Sequence, residues 1–226
     1  ESRLIVKEGE STHFTEDNRL TELAIIDTSA PRSDFIVSIP ESYLQKKGRI
    51  QHPDLPFDIQ VDSFHLNAEL YRLDGTTNPV VSQGIGQHIA IKPIPEFVSD
   101  DLKNNTSAII SLKQEDMDYG SYLVSLGLGG AQEVTIQDKT YKIIIRPLRY
   151  YLPYRITLKD FTHDVYPGTT IPKHFSSLIH LQDFKNKEFR DVTIYMNHPL
   201  RYQGKTFFQL SFAENDTVSI LQVVDN

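Results

Sequence analysis

The chain has 226 residues, no Cys, no Trp, 12 Phe and 11 Tyr, and a net charge of -7. That length supplies one large β domain or two smaller ones with a sizeable core. The missing cysteines exclude disulfides, thiolate metal sites and a cysteine nucleophile, and the negative balance argues against a general nucleic-acid binder, which presents a basic face.

Taken in chain order, Arg3-Leu-Ile-Val6 is a short apolar strand and Glu8-Gly-Glu-Ser-Thr12 a turn. Leu20 to Asp27 is apolar enough for a buried strand, and Asp34 to Ile39 forms another. Pro40 to Lys47 has the pattern of one or two helical turns, with Pro40 near the first position and Gly48 as the stop. Gly48 to Pro56 is polar and proline-bearing, hence a loop. Phe57 to Phe64 alternates strictly up to Val61, the cleanest strand pattern in the first half.

Leu66 to Leu73 continues that sheet up to the hairpin-type turn Asp74-Gly75. Gln83 to Ile91 mixes glycine with β-branched residues, the mark of a bent or bulged strand. Pro95 to Lys103 reads as a short helix, and Asn104-Asn-Thr as a glycosylation triplet only where the source glycosylates such sites. Tyr119 to Leu126 is strand-like and Gly127-Leu-Gly-Gly130 a flexible turn. Val134-Thr-Ile136 and Tyr141 to Ile145 flank Asp138-Lys139 as a hairpin. The fold class expected is all-β and antiparallel, a sandwich or barrel-like, with few short helices and less than about a fifth of the chain helical.

Leu55-Pro-Phe-Asp-Ile-Gln-Val-Asp-Ser-Phe64 is echoed by Leu152-Pro-Tyr-Arg-Ile-Thr-Leu-Lys-Asp-Phe161. Gly75-Thr-Thr-Asn-Pro79 is echoed in turn by Gly168-Thr-Thr-Ile-Pro172. The echo fits one domain over residues 1–226 with two related halves, roughly 1–147 and 148–226, joined near Arg146-Pro147. The other reading is that both phrases are common ways to enter a strand and turn a corner. No apolar run approaches the ~20 residues of a membrane-spanning helix, and no signal-peptide pattern opens the chain. With Glu1 in first place, the sequence reads as a piece processed or cut from something longer.

Catalytic chemistry is thin. There is no His-Glu-x-x-His pair, no Gly-x-Ser-x-Gly elbow and no Cys-x-x-Cys-His haem-attachment motif. Gly127-Leu-Gly-Gly130 lacks the lysine and helix of a phosphate-binding loop, and Glu115-Asp116 lies in a solvated run. No catalytic residue and no metal site is assigned. If His174 to Leu181 is a strand, His174 and His180 share a face with Ser176 and Leu178, opposite Phe175, Ser177 and Ile179. With His198 they are the candidate haem or metal ligands. The alternative, solvated surface histidine, is favoured.

The densest pattern is Asp191 to Phe212. Val192, Ile194 and Met196 alternate with Thr193 and Tyr195, Asn197-His-Pro199 breaks the ladder, Gln203-Gly204 turns, and Lys205 to Phe212 resumes as a strand. Asn197 and Gly204 are expected at unusual backbone angles, Pro199 to end pairing, and Leu200 to be buried.

These elements resemble the ResB family of system II cytochrome c biogenesis, in its large extracytoplasmic domain. The resemblance rests on Arg3-Leu-Ile-Val-Lys-Glu-Gly-Glu10, Glu22 to Asp27, Val37 to Ser42, Leu55-Pro-Phe57, Arg149 to Phe161 and Tyr166-Pro-Gly168. Its most specific block is Met196-Asn-His-Pro-Leu-Arg-Tyr-Gln-Gly204 with Phe207-Phe-Gln209-Leu-Ser-Phe212, ending in Ser219 to Val224. It implies a domain on the periplasmic face of the bacterial inner membrane, flanked by membrane helices absent from this chain. It also implies a haem-handling membrane partner, CcsA, separate or fused, and delivery of haem to apocytochrome c. Asn197, Pro199, Leu200, Gly204 and Gln209 are then family-motif residues with structural roles. The isolated domain is expected to hold no cofactor and to be no enzyme itself, haem being handled by the whole complex; its role is to bind apocytochrome c or scaffold the assembly. The competing reading is an extracellular β-sandwich that binds a ligand or carbohydrate.

Overall fold

Alternation of inward and outward side chains governs most of the chain, which is 63% strand and 5% helix. The fold is therefore all-β. The structure, a computed structural model, describes residues 1–99 and 101–226. In chain order its strands are β1 (Ser2–Lys7), β2 (Ser11–Asp27), β3 (Phe35–Pro40), β4 (Gly48–Ile50), β5 (Asp58–His65), β6 (Ala68–Arg72), β7 (Ile89–Pro93) and β8 (Ser107–Gln114). They continue with β9 (Met117–Ser125), β10 (Gln132–Ile136), β11 (Lys139–Val165), β12 (Pro172–Asp183), β13 (Glu188–Tyr195), β14 (Leu200–Tyr202), β15 (Lys205–Ala213) and β16 (Val218–Asp225). A short helix, α1 (Glu41–Gln45), follows β3.

The chain forms two units. One is Arg19–Leu148; the other joins Glu1–Asn18 to Arg149–Asn226. The first is thus an insertion in the second, entered along β2 and left along β11.

Within the inserted unit, β3 pairs with the second part of β2, Ile25 facing Val37. β10 pairs with the first part of β11, Val134 facing Tyr141. A four-stranded sheet runs β4-β5-β8-β9, and β6-β7 form a separate pair. The core gathers Leu23, Ile25, Val37, Leu44, Phe57, Ile59, Ile110, Leu112, Ile136 and Ile143. α1 starts where the carboxylate of Glu41 accepts from the backbone N–H and the hydroxyl of Thr21, at 3.1 and 2.8 Å. Those bonds satisfy a buried acid and fix the helix on β2.

The terminal unit is a nearly closed antiparallel sheet in the order β13-β12-β11-β2-β1-β16-β15-β14. Its core is lined by Leu4, Tyr154, Ile156, Leu158, Ile179, Leu181, Ile194, Leu200, Phe207 and Leu221. Near-closure leaves few unpaired backbone groups at the edges.

Four readings of the sequence change. Pro95 to Lys103 is not helical at its described residues, and Asp100 lies outside them. The segment is tied down by Asn104, whose side chain accepts from Phe97 N at 2.7 Å, so a side chain replaces the helical ladder. Gly48 to Ile50, expected in a loop, pairs with β5 as β4. Ile85–His88 is a 3-10 turn rather than part of a bulged strand, and only Ile89–Pro93 is extended. Leu66 to Leu73, expected to continue the sheet of β5, instead pairs as β6 with β7 in a separate two-stranded sheet.

β11 changes its buried face as it passes between the units. Tyr141, Ile143 and Ile145 are buried in the inserted unit, and Leu152, Tyr154, Ile156 and Leu158 in the terminal one. Odd positions give way to even ones, which a period of two forbids without an irregularity. The change begins at Ile145 and Arg146, neighbours that are both buried. Arg146 is tolerated there because Glu22 on β2 lies 3.5 Å away, the two side chains being 8% and 1% exposed. Removing one partner of such a pair strands a buried charge. Arg146→Ala is expected to cost about 3–5 kcal/mol. Lys139→Ala, which breaks the half-exposed Asp27–Lys139 pair, is expected to cost far less. Urea unfolding of both variants checks the contrast; equal, small losses would show that Glu22 does not depend on Arg146.

Candidate functional site

The family-like block from Met196 onward, with Tyr195 just before it, builds one end of the terminal unit. β13 pairs with β12 from Glu188↔Asp183 to Tyr195↔Ser176, and there the ladder stops. Tyr195 N donates to His198 O at 3.3 Å, and His198 N donates to Tyr195 O at 2.9 Å. Met196 and Asn197 are the two central residues of that tight turn. Asn197 has φ +63°, a conformation that Asn and Gly tolerate best at this place. Leu200, after Pro199, is buried among the core side chains. Gly204 has φ +72° with nothing within 4 Å of where a Cβ would stand, so the constraint on it is the backbone angle rather than space.

Because β13 turns away at Tyr195, β12 has no ladder partner on that side beyond Ser176 among the described residues. Lys173, His174 and Phe175 have β11 on one edge, through His174↔Asp164 and Phe175↔His163. Their other edge has no ladder partner in β13. A groove of about 390 Å³ opens here, lined by Thr162, Asp164, His174, Phe175, Ser176, Thr193, Tyr195, Met196 and Asn197. Thr162 and Ser176 share a hydroxyl hydrogen bond of 2.7 Å on its floor. Met196 is 61% exposed on its wall, an apolar side chain left to solvent beside hydroxyls and a carboxylate. Such a surface has the makings of a trough for an extended chain: open backbone edge, polar floor, apolar wall.

His174 lines the groove, and His198 reaches its margin by stacking on Tyr195, the rings 4.1 Å apart and 18° from parallel. His180 is elsewhere. It lies on the same outward face of β12 as His174, but six residues along, about 20 Å at the rise of a strand. Its Nδ1 bonds Asp191 at 2.7 Å, and Lys159 donates to the same carboxylate at 2.7 Å. These two hydrogen bonds hold the Asp191 carboxyl below the usual carboxylate range, the lysine's first. No single iron spans His174 and His180, and one face of the His198 ring is covered by Tyr195. The three histidines do not converge on a haem centre. Among the described residues no cluster of three or more His, Asp or Glu is arranged to hold a metal ion.

Two polar networks hold the surrounding turns. Gln209 stands at a register shift in β15, where Gln209 faces Leu221 and Ser211 faces Ile220. Its Oε1 accepts from the buried Ser177 on β12 at 2.6 Å, and its Nε2 donates to the buried Ser219 on β16 at 3.1 Å. One glutamine thus ties three strands through the core.

The second network was not read from the sequence. Asp183, fully enclosed, accepts from Asn186 Nδ2 at 2.7 Å, from Asn186 N at 3.0 Å and from Tyr202 Oη at 2.7 Å. The two Asn186 bonds and then the Tyr202 hydroxyl lower its pKa from 3.8 to about 2. The spacing Asp183-x-x-Asn186 between two alternating runs is the available signal, an acid placed to cap its own turn. Tyr202 packs edge-on against Tyr154, the rings 4.9 Å apart. Burial pushes the Tyr154 phenol up to about 12, and its buried hydroxyl has no hydrogen-bond partner among the described residues.

Comparison with known proteins follows this end of the molecule. A family model described as the ResB-like family matches residues 119–225. Every motif named above from Arg149 onward falls inside that match, and those before residue 58 fall outside it. The chain is also 33% identical over 86 residues to Protein NrfI of Wolinella succinogenes, an alignment covering 38% of this chain and 10% of NrfI. The chain therefore spans about a tenth of the length of that relative.

Two outcomes are expected here. Asp183 has a depressed folded-state pKa, so its contribution is present above 3.8 and is lost as pH falls toward 2. Asp183→Asn should lower the melting temperature at neutral pH and flatten the stability curve between those values; an unchanged acid transition would separate Asp183 from acid unfolding. Tyr154→Phe removes an unpaired buried hydroxyl and should be neutral or stabilising by up to ~1 kcal/mol, whereas Tyr202→Phe should cost about 1–2 kcal/mol. Thermal melts of the two variants distinguish a satisfied phenol from an unsatisfied one.

Proposed function

From a chain whose residues 119–225 carry the ResB-like family pattern, and which is thereby related to cytochrome c biogenesis, we propose a domain that holds apocytochrome c in extended form outside the cytoplasmic membrane. The observation that carries the reading is the free edge of β12 at Lys173 to Phe175 beside the groove walled by Tyr195, Met196 and Asn197. An extended peptide continues the line that β13 abandons, adding main-chain hydrogen bonds to β12 while its side chains enter the groove. Such recognition is tolerant of sequence, as suits a partner met unfolded. The charge of -7 and Asp164 in the groove favour cationic segments, chiefly through the rate of encounter.

In this reading haem is carried by the partner, a CcsA-like membrane protein, and the domain presents the polypeptide to it. The chain's own residues supply binding and orientation, and no chemical step is assigned to them. The family resemblance, absent from a generic carbohydrate-binding sandwich, favours this over the alternative of a ligand- or sugar-binding module. No helix among the described residues is long and apolar enough to cross a membrane.

Calorimetry with a peptide containing Cys-x-x-Cys-His and its flanking residues tests the proposal. Micromolar binding is expected. N-methylation of alternate peptide amides, which deletes main-chain donors, should weaken it about tenfold. Tyr195→Ala should weaken it similarly with little change in melting temperature. Absence of binding at high micromolar concentration would leave a scaffolding role only. A saturable Soret shift lost in His174→Ala or His198→Ala would replace peptide holding with haem binding.

A further inference from the structure

The tip of the β12–β13 hairpin presents two aromatic rings that the fold does not use. Phe184 is 73% exposed and Phe189 49% exposed, and the rings meet edge to face at 5.3 Å. Exposure of one phenylalanine is ordinary; a paired, outward-held set on a tight turn is not.

The turn is built to keep them there. Asp183 accepts two hydrogen bonds from Asn186 and one from Tyr202, and Lys187 takes φ +54° to close the turn. Those bonds bury a carboxylate in order to fix four residues, Phe184 to Lys187. The rings thus lose little freedom on meeting a partner, which is the condition for an anchor.

Charge at the tip opposes that of the chain. Lys185, Lys187 and Arg190 flank the two rings in sequence; of the turn's two acids, Asp183 is enclosed and Glu188 is bonded to Arg190 at 2.6 Å. A protein of charge -7 therefore carries a cationic, aromatic projection. Aromatic rings flanked by lysines match the chemistry of a bilayer surface, apolar just below and anionic at the headgroups.

We propose that this hairpin tip docks on an anionic phospholipid bilayer, with Phe184 and Phe189 entering the headgroup–acyl boundary and Lys185 and Lys187 meeting lipid phosphates. The surface is separate from the groove at His174, so the inference stands independently of peptide holding. Two rings and two cations make a reversible contact rather than a permanent one.

The absence of tryptophan makes the test direct. Phe184→Trp places a single reporter at the tip of the 226-residue chain. On vesicles of equal parts phosphatidylcholine and phosphatidylglycerol, its emission should shift to the blue and be quenched by brominated acyl chains. Lys185→Glu with Lys187→Glu, and separately replacement of Phe189 by Ser, should weaken vesicle binding by about tenfold or more with the melting temperature unchanged. Vesicles of phosphatidylcholine alone should bind about tenfold less well. The proposal is overturned by a reporter that stays in water on anionic vesicles, or by binding indifferent to both sets of changes. It is also overturned by a shift produced by a cysteine-containing cytochrome peptide and not by vesicles, which would assign the tip to a protein partner.

Discussion

The period of two along a strand is the constraint on which this molecule turns. β11 runs 27 residues and serves two cores, one with odd positions and one with even positions up to the bulge at Leu158. A regular strand long enough to do both would bury one set of residues and expose the other throughout. The sequence resolves the conflict with Arg146 and Pro147, where a long cation can lie inward beside a buried neighbour and the ladder loses one donor. Glu22, on the other strand that passes between the units, is the counter-charge that makes the inward cation tolerable. Such pairs seldom add net stability over apolar packing, but they do specify register, which is what this crossing needs.

The polar interior of the terminal unit works in the same spirit. Gln209 holds Ser177 and Ser219 across three strands, and Asp183 holds the turn it belongs to and a tyrosine from β14. Each is a long or charged group whose bonding capacity is largely met, the condition under which burial is not destabilising. Their effect is to fix where strands stop. The open stretch of β12 exists because the turn at Met196-Asn197 is made firmly and early.

Sequence patterns revealed the fold class and much of the local geometry. The strict alternation of Phe57 to Val61, the hairpin between Val134 and Tyr141, though its turn is Gln137-Asp138 rather than Asp138-Lys139, and the two faces of His174 to Leu181 all follow from period two alone, and all are present. β8 escaped because Ser107 to Leu112 is buried on both faces and so shows no alternation. The first part of β2, Ser11 to Arg19, escaped for the opposite reason, being rich in polar residues that suggest a turn. The inward carboxylates Glu22, Glu41 and Asp183 are invisible to hydropathy, since their burial depends on partners 124, 20 and 19 or fewer residues away in sequence. The groove was illegible for a related reason: it is defined by where a ladder ends, and periodicity describes only where one continues.

The first and last strands lie side by side, Ser2 opposite Val223 in the β1–β16 ladder. Antiparallel neighbours of this kind stand about 5 Å apart at their α-carbons. Tension applied between the two ends therefore does not shear the ladder with all its bonds loaded together. It unzips it, from Ser2↔Val223 toward Lys7↔Val218, one pair at a time. A pull carried by both ends meets its weakest resistance in these two strands, and the core behind them, centred on Leu4 and Leu221, is the first to feel it.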